Sequence, residues 1–389
     1  MDRLYEFMLR QLENVTSLFH RYVYDDITWE NRMLGLVGPR GVGKTTLFLQ
    51  RIKERHSLDD TLYLTADHLY FADHSLIETA DKFVKGGGEF LFIDEVHKYP
   101  NWSRELKMMF DSFPDVHVYF TGSSVLDIEK GESDLSRRAP KYVMQGLSFR
   151  EYLAIRHGIE APILSIDDIV THKECIPGVT HPLPLFKDYL RRGYYPFGSD
   201  ADFDIELEQV ITRTLEVDIP QFANMTAATG RKLKKLMAIV STLVPFRPNM
   251  TSLGSQIQVS RNSIEDYLGY MEKAGMIAQL KGAEGGLRAL GKAEKVYLDN
   301  TNILYVLSGG AEDAGTVRET FFLNQTRVGH AVTASRLSDF QIGSMTFEIG
   351  GKNKGFDQVK DAKNGFVVKD DIERGFGRTL PLWAFGLLY

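Results

Sequence analysis

The sequence predicts an α/β fold: a parallel sheet with helices on both faces, followed by smaller helical and α+β regions. Short apolar runs recur at residues 33–37, 61–65, 90–93 and 116–120. The intervals between the runs after Lys44 are long enough for crossover helices, which parallel strands require. The first run also enters a glycine-rich turn that leads into a helical stretch, so strand, loop and helix succeed one another directly.

Apolar residues at Leu4, Phe7, Met8, Leu12, Val15, Leu18 and Phe19 have helical spacing, which predicts one amphipathic helix from Leu4 to about Tyr24, packed on the sheet region that begins at Met33. A helix over about 46–56 ends in basic residues. After Leu153 the pattern loosens, and 161–184 reads as a connector. From Met237 to Leu280 the chain is helical again, with Thr251-Ser252 and Ser260 as candidate caps, then strand-like at 276–280. A glycine-rich stretch precedes a further strand at 296–298. Two helices joined by a short turn, then two strands bracketing a loop, form the pattern of a winged helix-turn-helix. The last block predicts a helix near 319–325 and strands near 340–342, 345–349 and 382–388.

Composition narrows the function classes. The 389 residues allow two to three domains of about 150 residues each. A hydrophobic share of 43% and a charged share of 25% exclude a disordered or fibrous chain. The net charge of −6 argues against a surface coated in nucleic acid, leaving room for a local basic patch. Cys175 is the single cysteine, so there is no intrachain disulfide, and a cytoplasmic setting is expected. No stretch approaches 18 consecutive apolar residues, so no membrane partner is expected.

Gly38-Pro39-Arg40-Gly41-Val42-Gly43-Lys44-Thr45 satisfies the phosphate-loop pattern G-x-x-x-x-G-K-[ST] between a strand and a helix. Glycines let consecutive backbone N–H groups converge on phosphate oxygens, and the helix after them turns its positive end to the same charge. The expected cradle is Gly38, Pro39, Arg40, Gly41, Val42, Gly43, Lys44, Thr45 and Thr46. Lys44 supplies a charge for the β- and γ-phosphates, and Thr45 a hydroxyl for Mg²⁺. Four apolar residues from Phe90 lead into Asp94, the expected second metal contact, and Glu95, the expected base for an attacking water. The strand at 116–120 runs into Thr121-Gly122-Ser123-Ser124, where a hydroxyl, with Ser123 the candidate, can sense the γ-phosphate or hold the attacking water; a solvated turn is the alternative. Arg137 and Arg138 are candidates for an arginine at a subunit or domain seam, with a surface salt bridge as the alternative.

These segments, with the run from Leu147 to Leu153 (Leu-Ser-Phe-Arg-Glu-Tyr-Leu), the run from Tyr189 to Pro196 and the run from Phe347 to Lys352, carry a resemblance over nearly the whole chain. It is to the bacterial and archaeal AAA-type ATPases with a C-terminal DUF4143 region. The resemblance implies a P-loop ATPase core, a winged helix and a restriction-endonuclease-like domain, and it raises Arg138 above Arg137 as the finger candidate. The implied organisation is an N-terminal helix at 1–30, an ATPase domain at 31–155, a helical lid or connector at 156–230, a winged helix at 231–300 and a nuclease-like domain at 301–389. ATP, with its adenine specificity inherited from the resemblance, and Mg²⁺ are the implied cofactors; a homo-oligomer or protein partner is also open.

In the nuclease-like block, Asp339 and Glu348 are the candidate acids and Glu319 a helix-borne helper. The lysine arrives at Lys352, with three residues between it and Glu348 where E-x-K spacing has one, so no cleavage activity is expected. Between Arg231 and Lys295 eleven basic residues face five acidic ones, against the sign of the whole chain. Ser260-Arg261-Asn262-Ser263 opens the second helix of the winged pattern, where it can reach DNA, although Glu265 and Asp266 come directly after; protein contact is the alternative. His172, Cys175 and His181 lack the four-ligand spacing of a zinc site. The expected activity is Mg-dependent ATP hydrolysis coupled to the C-terminal domains. The alternatives are a slow nucleotide-gated switch and an ATP-regulated nuclease.

Overall fold

A computed structural model describes residues 1–16, 19–122, 135, 137–223, 225–282 and 293–389. The chain divides into two compact units, Met1–Gly146 and Leu147–Tyr389.

The first unit is built on a five-stranded, all-parallel sheet: β1 (Met33–Val37), β2 (Thr61–Thr65), β3 (Phe90–Asp94), β4 (His117–Gly122) and β5 (Lys141–Val143), in the order β2-β3-β4-β1-β5. Residues alternate between the faces of a strand. Thus Leu34, Leu36, Phe92 and Tyr119 share one core with Leu47, Phe48 and Ile52 of helix α3 (Lys44–Arg55). Met33, Val37, Ile93 and Phe120 share the other with Phe83 and Leu106, from helices that join β2 to β3 and β3 to β4. With both faces covered, all five residues of β1 are buried. Gly35 is required there, because a Cβ would stand 2.7 Å from the Phe120 ring.

The N-terminal helix, α1 (Asp2–Glu13), stops well short of Tyr24, and a separate short helix, α2 (Val23–Asp26), follows. The apolar spacing continues past Glu13, but α3 takes the carbonyls a longer helix would need. Lys53 Nζ donates to Leu12 and Val15 O at 3.2 and 2.8 Å, and Gln50 Nε2 to Thr16 and Phe19 O at 2.8 and 2.9 Å. The carbonyls of Leu12, Val15, Thr16 and Phe19 are thereby held by α3 side chains. Leu4, Met8 and Leu12 remain on one buried stripe, each contributing roughly 1.5–3 kcal/mol.

The second unit carries helices Phe149–His157, Leu183–Arg192, Phe203–Arg213, Ala227–Leu243, Met250–Ile257, Arg261–Lys273, Thr301–Ser308 and Ala314–Thr326. It also holds an antiparallel hairpin of β6 (Ile277–Lys281) and β7 (Ala293–Leu298). A second sheet has the order β12-β11-β10-β9-β8, from β8 (Val332–Ala334), β9 (Phe340–Ile342), β10 (Met345–Gly350), β11 (Gly365–Lys369) and β12 (Thr379–Pro381). Two expectations are corrected here. The Met250–Ile257 helix is capped by Asn249, whose Oδ1 accepts from Ser252 N at 3.0 Å, so Thr251 and Ser252 lie inside it. The apolar run at 382–388 is not a strand: Leu382–Leu387 is a 3₁₀ helix buried on every side, a setting in which apolar periodicity cannot separate strand from helix. Ser260 does cap its helix, accepting from Ser263 N at 3.1 Å. No helix among the described residues is long and apolar enough to cross a membrane.

Candidate functional site

At the C-terminal end of β1 the chain turns through Gly38 into the loop that precedes α3. A Cβ at Gly38 would lie 2.1 Å from Met144 O, and Gly41 and Gly43 take φ of +81° and +99°, so each position needs glycine. Gly43 caps α3 without a side-chain hydrogen bond, and the first turn carries no acid. The amides of that turn remain available to an anion, on the positive side of the helix dipole.

Lys44 is buried, and its Nζ donates to Gly38 O at 3.0 Å and Pro39 O at 2.8 Å. Burial pushes its pKa down to about 8, against the opposing pull of Glu95 and Asp94. The loop is also held from outside. Arg21 Nη1 donates to Val42 O at 2.5 Å, while Nη2 reaches Gln145 O at 2.7 Å and Gly146 O at 2.9 Å. One buried guanidinium therefore ties the loop to the segment after β5. Thr46 is exposed, and Arg40 is partly so.

Asp94 ends β3 beside this loop and is almost fully buried. Thr45 Oγ1 donates to its Oδ2 at 2.6 Å and Tyr63 OH to the same oxygen at 2.8 Å, while the Thr121 hydroxyl donates to Oδ1. Register explains the convergence: Asp94 pairs with Thr65 on β2, and Thr121 lies opposite Leu36 on β1, so all these groups sit at the same end of the sheet. Burial and the neighbouring carboxylate push the Tyr63 hydroxyl far above its usual range, so it acts only as a donor. The oxygens of Thr45 and Asp94 form a hard donor pair, and Mg²⁺ needs one or two such protein oxygens. The chemistry of the set fits that ion.

Glu95 adopts φ +50°, the left-handed region, where a non-glycine residue must be held. Its N–H donates to Asp94 Oδ1 and Thr121 Oγ1, both at 3.1 Å. Its Oε2 lies 3.5 Å from His97 Nε2. His97 is buried, and desolvation, with Lys98, Lys44 and Arg40, lowers its pKa to about 3, so it is neutral.

The first unit thus brings together Gly38 to Thr45, Asp94 and Glu95. It does not bring Arg138 to them. Arg138 Nε and Nη2 meet Asp111 Oδ1 and Oδ2 at 3.1 and 3.2 Å, on the last turn of the helix Trp102–Ser112. That turn also binds Arg32, just before β1, through Phe110 and Phe113 O, so it lies at the opposite end of the strands from Gly38. Five residues of strand, about 17 Å, separate the two ends. Ser123 and Ser124 lie outside the described residues. Arg21, Tyr63 and Thr121 escape sequence reasoning. Thr121 alone left a trace, as the polar residue ending an apolar run.

In the second unit Asp339 and Glu348 lie on adjoining segments, with Ile349 N donating to Asp339 Oδ2 at 3.0 Å. Lys295 Nζ stands 3.3 Å from both Glu319 and Asp339, and Glu348 pairs with Lys354. Lys352 is not the partner of Glu348; its carbonyl accepts from Lys369 Nζ at 2.9 Å, because the chain has left the strand at Gly350. Among the described residues no three His, Cys, Asp or Glu side chains are grouped as metal ligands. His172 and His181 bind Gly377 O and Glu373 separately, at 3.1 and 2.7 Å.

Comparison with known proteins adds two family matches. Residues 30–153 match the model of an AAA domain. Residues 183–314 match a domain of unknown function, DUF8612, which corrects the DUF4143 assignment implied by the resemblance. No curated protein matches the chain. Among solved structures, the Walker-type ATPase PABY2304 of Pyrococcus abyssi aligns over 78% of this chain and 95% of its own, at 13% identity and a TM-score of 0.44. PCH-2 of C. elegans aligns over 69% and 67%, at 16% identity and 0.24. A structure titled for katanin self-assembly aligns over 69% and 85%, at 14% identity and 0.30. The AAA match, over the residues that carry the phosphate loop, supports an AAA-type, nucleotide-binding ATPase.

Proposed function

We propose that the protein binds ATP with Mg²⁺ and hydrolyses it in the first unit. The observation that carries this reading is the 2.6 Å contact between Thr45 Oγ1 and Asp94, beside a loop that holds Lys44 in its hollow. On binding, Lys44 exchanges the carbonyls of Gly38 and Pro39 for phosphate oxygens, and the first amides of α3 complete the cradle. Thr45 and Asp94 would hold Mg²⁺, which when bound supplies charge neutralisation on the phosphates. Tyr63 and Thr121 fix the Asp94 carboxylate by donating to it. Glu95 accepts the proton of the attacking water, and neutral His97 orients the carboxylate without neutralising it. Ser123 is assigned to γ-phosphate sensing. Arg138 is assigned to a neighbouring copy's site, a role that requires it to leave Asp111.

Lys44→Ala is expected to abolish ATP binding in calorimetry, and Glu95→Gln to keep binding while turnover falls about 10²–10⁴-fold. Parental turnover in Glu95→Gln overturns the base assignment. A slow nucleotide-gated switch is the second reading, favoured by the two carbonyls that any phosphate must displace from Lys44. Turnover stimulated by duplex DNA supports a coupled ATPase; slow turnover indifferent to it supports the switch.

We further propose that the helices Met250–Ile257 and Arg261–Lys273, with the β6–β7 hairpin, form a winged helix within a region that engages nucleic acid. The Ala314–Thr326 helix and the five-stranded sheet are proposed as a nuclease-like fold without cleavage activity, its acids engaged by Lys295 and Lys354. A cytoplasmic setting suits the single free Cys175.

A further inference from the structure

We propose that duplex nucleic acid is bound through its phosphate backbone in the groove between the helices Ala227–Leu243 and Met250–Ile257, and not by the helix Arg261–Lys273. The inference rests on the nucleic-acid reading above and assigns its site.

Among the described residues, the basic excess of this region is concentrated on the helix Ala227–Leu243. Arg247 lies 2.9 Å from Glu294, and Lys295 is shared by Glu319 and Asp339. On the helix expected to read DNA, three acids, Glu265, Asp266 and Glu272, outnumber Arg261 and Lys273, and the Ser260 and Ser263 hydroxyls bond each other at 2.8 Å. The groove differs. It encloses about 630 Å³ and is lined by Arg231, Lys232, Lys234 and Lys235, with Glu216 as its only carboxylate. Glu216 stands 3.8 Å from Lys234, an exposed contact that neutralises little.

The helix that supplies these four cations is 17 residues long and contains no acid. Like charges three and four apart on a helix repel one another, so this face is arranged for an external anion. Arg231 and Lys235 are one turn apart, about 6 Å along the axis, close to two phosphate steps of about 3.4 Å on one strand. Ala228 and Ala238 leave the approach open, and no lining residue is aromatic. A groove that tracks phosphates without a stacking platform suits a duplex better than a single strand, whose binders stack bases on aromatic rings.

The test uses the full chain and labelled 20-base-pair DNA, a 20-nucleotide single strand and poly-glutamate, read by fluorescence anisotropy from 50 to 200 mM salt. Four phosphate contacts predict a log–log slope of about −3.6, an affinity loss of about 150-fold over that range. The fourfold variant Arg231→Gln, Lys232→Gln, Lys234→Gln, Lys235→Gln is expected to bind at least tenfold more weakly at 50 mM, with a slope near zero. Arg261→Gln is expected to bind as the parent does. Circular dichroism and unchanged basal ATP turnover establish that the fourfold variant is folded. Parental duplex affinity and slope in the fourfold variant, or loss of binding in Arg261→Gln, overturn the groove assignment while leaving the nucleic-acid reading intact. No binding to either nucleic acid by the parent overturns both. Equal affinity for poly-glutamate, or for the single strand, overturns the duplex-backbone assignment.

Discussion

The buried charge of Lys44 makes ATP affinity depend on pH in a direction the structure fixes. Burial brings the pKa of Lys44 from 10.5 to about 8 in the free protein. Between these values the unfolded chain binds more protons than the folded one, so the free protein gains stability as pH rises through that window. The charged side chain at neutral pH therefore costs the free protein about 3 kcal/mol relative to its neutral form. A triphosphate against Nζ reverses the balance, because an anion in contact favours the charged form. Binding above pH 8 must then be accompanied by protonation of Lys44. With a free-state pKa of about 8, roughly one tenth of the molecules carry the charge at pH 9, so apparent affinity for Mg-ATP falls about tenfold between pH 7 and pH 9, or about 1.4 kcal/mol. Calorimetry at pH 9 in two buffers of different ionisation enthalpy measures the proton taken up directly; the expected uptake is about 0.9 per ATP. Lys44→Met loses this dependence together with most of the affinity. An affinity that stays flat from pH 7 to 9, with no proton uptake, would refute the assignment of Lys44 to the phosphates.

Two further expectations concern residues that no motif marks. Arg21→Ala removes three charge-assisted bonds to Val42, Gln145 and Gly146 and leaves buried carbonyls without their donor; it is expected to cost about 2–4 kcal/mol in urea unfolding and to weaken ATP binding at least tenfold. If it lowers stability while ATP affinity is unchanged, the tie is structural alone. Tyr63→Phe keeps the ring in the core and removes only the hydroxyl that donates to Asp94; the expected loss is about 1–2 kcal/mol of stability, with a several-fold rise in the Mg²⁺ concentration that half-saturates ATP binding. An unchanged Mg²⁺ titration would show that Thr45 and Thr121 suffice to hold the carboxylate.

What could be seen in the sequence divides along the distance over which each feature is encoded. The phosphate loop and the Asp94-Glu95 pair are local: a strand end, the glycines that permit left-handed φ, and a helix start are contiguous, so spacing carries the geometry. The buried strands β1 to β4 were legible for the same reason, as short apolar runs. β5 and β8, three residues each with none fully buried, carry no apolar run, whereas the equally short β9, buried at Phe340 and Ile342, does. The end of the first helix was not legible because it is set by Gln50 and Lys53, side chains that arrive from α3.

The same distinction separates the two halves of the candidate site. Its reactive groups sit within two motifs, whereas the groups that hold them come from single positions on other elements: Arg21 before β1, Tyr63 on β2 and Thr121 on β4. Each is an ordinary residue in a segment whose apolar pattern has already been explained by the core. Their selection becomes visible only when strand order β2-β3-β4-β1 places Tyr63 on one side of Asp94, and Thr121 with the loop on the other. Three hydroxyls then converge on one buried carboxylate, which would be costly to leave unpaired, and this offsets its desolvation beside Thr45. Sheet order, a long-range property, is therefore what makes a motif written in short range into a working set of oxygens.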